Sequence, residues 1–180
     1  EDYVILGIST TISFLKDVPT TGSASGPKVS IIIPARNEER NLQEALASVL
    51  NQDYEYTEVL VINDRSTDGT GAILDRMAPA NPKLRVVHVT DLPPGWLGKN
   101  HALYNGAQQS TGDLLLFTDA DIVMHPSTVR KAVGYLVANQ LDHLTITPEV
   151  RMPGILMEVF VGAFTIFFSL YARPWKAKDP

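Results

Sequence analysis

The sequence predicts an α/β protein: a mostly parallel sheet with helices on both faces. Three observations carry that expectation. Short β-branched or aliphatic runs recur along the chain at Val29–Ile33, Val59–Ile62, Leu84–Val89 and Leu114–Phe117. Between them, apolar residues return at helical spacing, as at Leu42, Ala45, Leu46, Val49 and Leu50. Strand–helix alternation of this kind makes successive strands parallel and lays the crossover helices over the sheet. Finally, 44% hydrophobic and 19% charged residues suffice for a packed core in a chain of 180 residues.

The elements follow in order. Residues 1–28 form a lead-in with apolar patches at Val4-Ile5-Leu6 and Phe14-Leu15, then a Pro-, Gly- and Ser-rich linker from Pro19 to Pro27. Residues 29–150 carry the alternating pattern. Val29–Ile33 reads as a buried parallel strand stopped by Pro34. Asn37 is expected to cap the helix after it, with Glu38 and Glu39 in the first turn. Val59–Ile62 is a second buried strand, and Asp68 is expected to cap a helix bearing Ile73, Leu74 and Met77. Leu84–Val89 is a third strand, and a helix over residues 99–110 leads to the fourth, Leu114–Phe117. Pro126 and Ser127 open a helix with Val129, Ala132, Val133, Leu136 and Val137 on one face, and His143–Thr147 is a further strand.

Residues 151–180 differ. Ile155 to Ala172 is 18 residues with one charge, Glu158. As a helix it would be about 27 Å long, near the lower limit for crossing a bilayer. Three readings stand: a helix buried against the domain, a helix lying in a membrane interface with Arg173, Lys176 and Lys178 as basic anchors, or a true span.

Composition removes several functions. Lys+Arg is 15 and Asp+Glu 20, a net charge of −5, which argues against a nucleic-acid binder. The chain has no Cys, so disulfides, thiolate metal sites and a Cys nucleophile are excluded. Neither G-x-G-x-x-G nor G-x-x-x-x-G-K-[ST] occurs, against a dinucleotide oxidoreductase and a P-loop NTPase; G-x-S-x-G is also absent.

Ligands of parallel sheets bind outside the carboxyl ends of the strands, so the chemistry is sought there. Asp119-Ala120-Asp121 follows the fourth strand. Two carboxylates one residue apart can hold a hard divalent cation that bridges phosphates. Asp64, after the second strand, can accept hydrogen bonds from a base or ribose edge. Lys99 stands at a helix start behind Gly98, where a phosphate can meet both its ammonium and free backbone N–H groups. The bland alternatives are polar turns and a solvated lysine.

Four runs occur in order: V-S-I-I-I-P-A-R-N-E-E (29–39), V-L-V-I-N-D-R-S-T-D-G-T (59–70), G-K-N-H-A-L-Y-N-G-A (98–107) and G-D-L-L-L-F-T-D-A-D (112–121). Together they resemble the nucleotide-sugar-binding half of a family 2 glycosyltransferase with the GT-A fold. The loop P-P-G-W-L-G-K-N (93–100) is similar to membrane-associated members that glycosylate hopanoids, carotenoids and other lipids. The resemblance implies an inverting transfer of a sugar from a nucleoside diphosphate, usually UDP, to a lipid or glycan acceptor. It implies that Asp64 contacts the nucleobase and that Pro34, Ala35 and Glu38 line the nucleoside pocket. Lys99 would lie near the donor, with Asp119 and Asp121 on the sugar and on Mg²⁺ or Mn²⁺. It also implies a prokaryotic enzyme at the cytoplasmic face of the membrane. Neither an E-D pair nor a Q-x-x-R-W run follows Asp121, so the catalytic base is left unassigned. The chain is therefore read as a fragment of a longer enzyme, the alternative being a non-catalytic nucleotide-sugar-binding or scaffolding domain.

Overall fold

A computed structural model describes residues 3–5, 13–15, 18, 26–147, 154, 159, 160, 162–164, 167 and 171. The elements run β1 (Tyr3–Ile5), β2 (Ser13–Phe14), β3 (Val29–Ala35), α1 (Leu42–Leu50), β4 (Thr57–Asp64), α2 (Thr70–Met77), β5 (Leu84–Val89), α3 (Gly98–Gln109), β6 (Leu114–Phe117), α4 (Thr128–Ala138) and β7 (Thr145–Thr147). They fall into two compact units, Thr20–Val133 and the two flanks Glu1–Pro19 and Gly134–Pro180.

The larger unit is built on a four-stranded parallel sheet in the order β5-β4-β3-β6. Its helices cover both faces, as the alternation of strands and helices predicts. In a strand, successive side chains point to opposite faces. Val29, Ile31 and Ile33 of β3 join Val59 and Val61 of β4 beneath Leu42 and Leu46 of α1 and Leu74 of α2. On the other face, Ile32 and Ile62 meet α3 at Gly106. A Cβ there would lie 2.4 Å from Ile32 Cγ2 and 3.4 Å from Ile62 Cγ1, so only glycine lets α3 sit this close to the sheet. In β6, Leu114 and Leu116 pack on the core while Leu115 and Phe117 are exposed.

Chain order makes the sheet's carboxyl edge a binding crevice. The chain builds β3, β4 and β5 outward in one direction, then α3 returns it to place β6 on the far side of β3. The loops after β3 and β6 therefore diverge, and a crevice opens between them.

The opposite, amino edge is locked by a polar knot. Glu58 on β4 is buried, and its Oε1 accepts hydrogen bonds from Ser30 Oγ at 2.6 Å, Thr111 N at 2.6 Å and Thr111 Oγ1 at 3.0 Å. Lys28 Nζ lies 3.5 Å from its Oε2. Gly112 N donates to Ser30 Oγ at 2.8 Å, so β3, β4 and the turn before β6 meet on one carboxylate. Burial raises the Glu58 pKa, but the Ser30 and Thr111 hydrogen bonds and the Lys28 charge outweigh it and hold it at about 2.

The helix starts differ from expectation. α1 is preceded by Asn41 and has no side-chain cap. Glu38 and Glu39 precede the helix: the Glu38 carbonyl accepts from Asn41 N and Leu42 N. Asn37 adopts φ 58, and its Oδ1 accepts from Thr67 N at 2.8 Å, while Glu39 Oε2 accepts from Gly69 N at 2.7 Å. Both side chains serve the loop after β4 instead of their own helix. α2 is preceded by Gly69 and likewise has no side-chain cap; Asp68 stands one residue earlier, its Oδ1 accepting from Thr70 N at 3.0 Å and its Oδ2 from Glu39 N at 3.2 Å. The loops after β3 and β4 thus brace each other across about 30 residues.

In the second unit, β1 pairs antiparallel with β2 and β7. The further strand expected over residues 143–147 is shorter and belongs to this separate sheet, not to the parallel one. Leu15 and Val18 are buried there against Tyr135, Leu144 and Ile146. Most of the apolar stretch 155–172 lies outside the described residues. Residues 159, 160, 162–164, 167 and 171 are helical and exposed. Among the described residues, no helix is long and apolar enough to cross a membrane.

Candidate functional site

A cavity of about 320 Å³ opens at the carboxyl edge of the parallel sheet. It is lined by Pro34, Ala35, Arg36 and Glu38 after β3, Asp64 at the end of β4, Gly98 and Lys99 at the start of α3, and Asp119, Ala120 and Asp121 after β6. All seven residues singled out from the sequence (Pro34, Ala35, Glu38, Asp64, Lys99, Asp119 and Asp121) therefore face one space. Pattern reading did not select Arg36 or Ala120.

Thr118 N still bonds the Ile32 carbonyl at 3.2 Å, which holds the start of the loop, Asp119 to Asp121, near the strand end. Lys99 Nζ lies 2.6 Å from Asp119 Oδ1, both side chains being more than half exposed. α3 begins after the extended Leu97 with no side-chain cap, so its first-turn N–H groups add positive potential at the cavity. Its approach is set by a tight turn. Gly95 at φ 87 follows Pro94, and Trp96 N donates to the Pro93 carbonyl at 3.3 Å, the type II arrangement that requires φ > 0 at its third position. Trp96 then packs on His101 and Tyr104, with ring centroids 5.4 Å and 5.1 Å away.

Asp64 is 3% exposed, on the cavity floor. Its two oxygens accept a fork from Arg65: Nε to Oδ1 at 2.7 Å and Nη2 to Oδ2 at 3.0 Å. Those bonds, outweighing the effect of burial, lower the Asp64 pKa, helped by the charges of Arg65, Arg36 and His101. Gly98 packs directly on this pair. A Cβ on it would lie 2.6 Å from Asp64 Oδ2 and 2.8 Å from Arg65 Nη2, so adding one would displace the pair. The backbone at Gly98 thus approaches Asp64 and Arg65 closely.

Glu38 has its pKa raised by burial first, then by the charges of Asp121, Asp119 and Asp68. Its electrostatic neighbours are the two carboxylates read as metal ligands. This concentration of hard, anionic oxygen suits a divalent cation. Among the described residues, however, no three acidic or histidine side chains converge closely enough to hold a metal by themselves. Asp119 and Asp121 fit a cation that takes its remaining oxygens from a bound ligand and water.

A four-stranded parallel sheet with helices on both faces and a crevice at its carboxyl edge is a GT-A-like α/β fold. Residues 30–155 match the family model of Glycosyl transferase family 2, and the chain belongs to that family. It is 37% identical over 114 residues to the 4,4'-diaponeurosporenoate glycosyltransferase of Staphylococcus haemolyticus, covering 62% of this chain and 29% of that protein. Among solved structures it resembles the mannosyltransferase PcManGT of Pyrobaculum calidifontis in complex with GDP-Man and Mn²⁺, at a TM-score of 0.57 and 33% identity. That match covers 67% of this chain and 35% of the other. It also resembles S. aureus TarS 1–349 in complex with UDP-GlcNAc, at a TM-score of 0.53 and 29% identity, over 63% of this chain and 32% of the other. The chain thus spans about a third or less of each of these proteins.

Proposed function

We propose that this chain supplies the donor half of an inverting glycosyltransferase that moves a sugar from a nucleoside diphosphate to a lipid-like or glycan acceptor. The observation that carries the reading is the convergence of Asp64, Lys99, Asp119 and Asp121 on one cavity from two strand ends and a helix start. Asp64, buried and ionised, suits a nucleobase N–H. Lys99 and the N-terminus of α3 suit the phosphates. Asp119 and Asp121 suit the sugar and a divalent cation. A bound Mg²⁺ or Mn²⁺ would supply neutralisation of the charge on the leaving diphosphate.

In this reading an acceptor hydroxyl oxygen attacks the anomeric carbon opposite the diphosphate. The carbon–oxygen bond to the diphosphate breaks with its electron pair staying on that oxygen, and the hydroxyl proton passes to a carboxylate. Which carboxylate takes it is not assigned. The chain's own work is to hold the donor so that this line of attack is open. Calorimetric titration of the 180-residue chain tests the reading: UDP should bind with Mn²⁺ present and weaken sharply on chelation. Indifference to Mn²⁺ would remove the metal from it.

We place the protein at the cytoplasmic face of a membrane, with the stretch 155–172 and the basic residues after it against the lipid. The sequence supports this through its large apolar side chains followed by Arg173, Lys176 and Lys178, each contributing about 1 kcal/mol near an anionic surface. In liposome flotation the whole chain should rise with anionic vesicles and a chain ending at Pro153 should not; equal flotation of the two would locate the contact elsewhere.

A further inference from the structure

The cavity floor carries a feature with a direct bearing on which nucleotide can enter. We propose that Arg65 is a specificity-determining residue that closes the base site to guanine and leaves it open to uracil; this rests on the donor-site reading above. The comparison proteins make the choice a real one, since one was solved with GDP-Man and another with UDP-GlcNAc.

A carboxylate recognises the Watson–Crick edge of guanine by taking two parallel N–H bonds, one on each oxygen, from the ring N1–H and the exocyclic amine. A guanidinium presents the same pair of donors at nearly the same spacing, which is why arginine and carboxylate dock as two forks. Arg65 makes that contact with Asp64 through Nε and Nη2 at 2.7 Å and 3.0 Å. Arg65 stands outside the cavity lining, yet it engages both Asp64 oxygens in the fork that guanine would need. Each carboxylate oxygen keeps one further acceptor position, but these point away from each other. A single N–H can use one of them, and uracil offers one, N3–H, between two carbonyls.

The blocking group is held in place. Arg65 N donates to the Val89 carbonyl at 3.1 Å and to the Asn63 carbonyl at 3.2 Å. The residue is in the left-handed region at φ 55, a conformation that non-glycine residues adopt at a cost and keep only when their surroundings hold them. Gly98 lies against the pair from α3, its Cβ position 2.6 Å from Asp64 Oδ2 and 2.8 Å from Arg65 Nη2. The guanidinium of Arg36 lies on the same side, 3.7 Å from that Cβ position, and offers donors to the uracil carbonyls. Polar complementarity of this kind rejects a mismatched base because buried donors and acceptors are left unpaired.

The experiment is calorimetry of the full chain with UDP and with GDP, each in Mn²⁺, for wild type, Arg65→Gly and Arg65→Lys. Glycine suits the positive φ, and lysine keeps the charge without the fork. Wild type should prefer UDP by about 10- to 100-fold, the discrimination a bidentate pair supplies. In Arg65→Gly the UDP-to-GDP affinity ratio should fall by about tenfold or more, with GDP itself binding tighter than to wild type, a gain that loss of structure cannot produce. Arg65→Lys should fall between, and it decides by the same ratio if the glycine variant does not fold. A wild type that binds GDP as well as UDP, or variants that weaken both equally, would overturn the role of Arg65 while leaving the donor site intact. A wild type that binds neither would overturn the donor-site reading and this inference with it.

Discussion

Asp121→Ala is expected to lower the affinity for UDP in the presence of Mn²⁺ by about 100-fold or more, given that losing even an outer partner of a metal ligand costs about 10- to 100-fold. The reason is charge balance. Burial raises the Glu38 pKa first, and the field of Asp121 and then Asp119 raises it further, so the cavity rim already holds more negative charge than it can comfortably keep. A diphosphate adds more. With a cation bridging the two, the carboxylates attract the nucleotide; without one they repel it. The sign of the effect should therefore depend on the metal. In chelator, Asp121→Ala should bind UDP no worse than wild type, and the Glu38 carboxyl should titrate closer to its ordinary range. Equal UDP affinity of variant and wild type with Mn²⁺ present would take Asp121 out of the site.

Glu58→Gln is expected to destabilise the domain by about 3 kcal/mol at neutral pH, the equivalent of the displacement of its pKa from 4.5 to about 2 at roughly 1.4 kcal/mol per unit. Glutamine keeps an acceptor for Ser30 and Thr111 but loses the charge that faces Lys28. Because the folded-state pKa lies below the unfolded one, the stabilisation is complete above about pH 4.5 and drains away as the pH falls toward 2. Urea unfolding at a series of pH values should show wild type losing stability through that window and Glu58→Gln holding a flatter line. Parallel pH slopes would show that the carboxylate is not the group being titrated. UDP binding should persist in the folded variant, since the knot lies at the edge opposite the cavity.

Much of the larger unit was legible because strand and helix periods are local. The four apolar runs became the four parallel strands; position just after a strand sufficed to bring Asp64, Asp119 and Asp121 together, and Lys99 joins them from the start of α3. Errors came where a side chain acts across sequence. Asn37 and Glu39 look like helix-starting residues for α1, but their partners are Thr67 and Gly69. A turn-forming side chain bonds whichever loop folds against it, and periodicity carries no trace of that choice. Arg65 enters the sequence only as one residue of the run 59–70. Its fork on Asp64 and its left-handed backbone arise from tertiary placement, and the one available signal was a long cationic side chain directly beside a buried acid.

The central place of β3 also orders events during synthesis. Its first partner, β4, starts 57 − 29 = 28 residues downstream, and its second, β6, starts 114 − 29 = 85 residues downstream. Closing the longer loop costs only about 1 kcal/mol more in chain entropy, so the delay is set chiefly by when the ribosome delivers residues 114–117. Until then β3 offers an unpaired edge, Val29-Ser30-Ile31-Ile32-Ile33, without a charge along it. Such a run invites pairing with a neighbouring nascent chain. It is bracketed by Lys28 on one side and by Pro34 and Arg36 on the other. The proline cannot donate to an intruding strand, and the cations repel one another between chains, so Pro34 and Arg36, which later line the site, and Lys28, which later ties the amino edge, are placed to disfavour aggregation first.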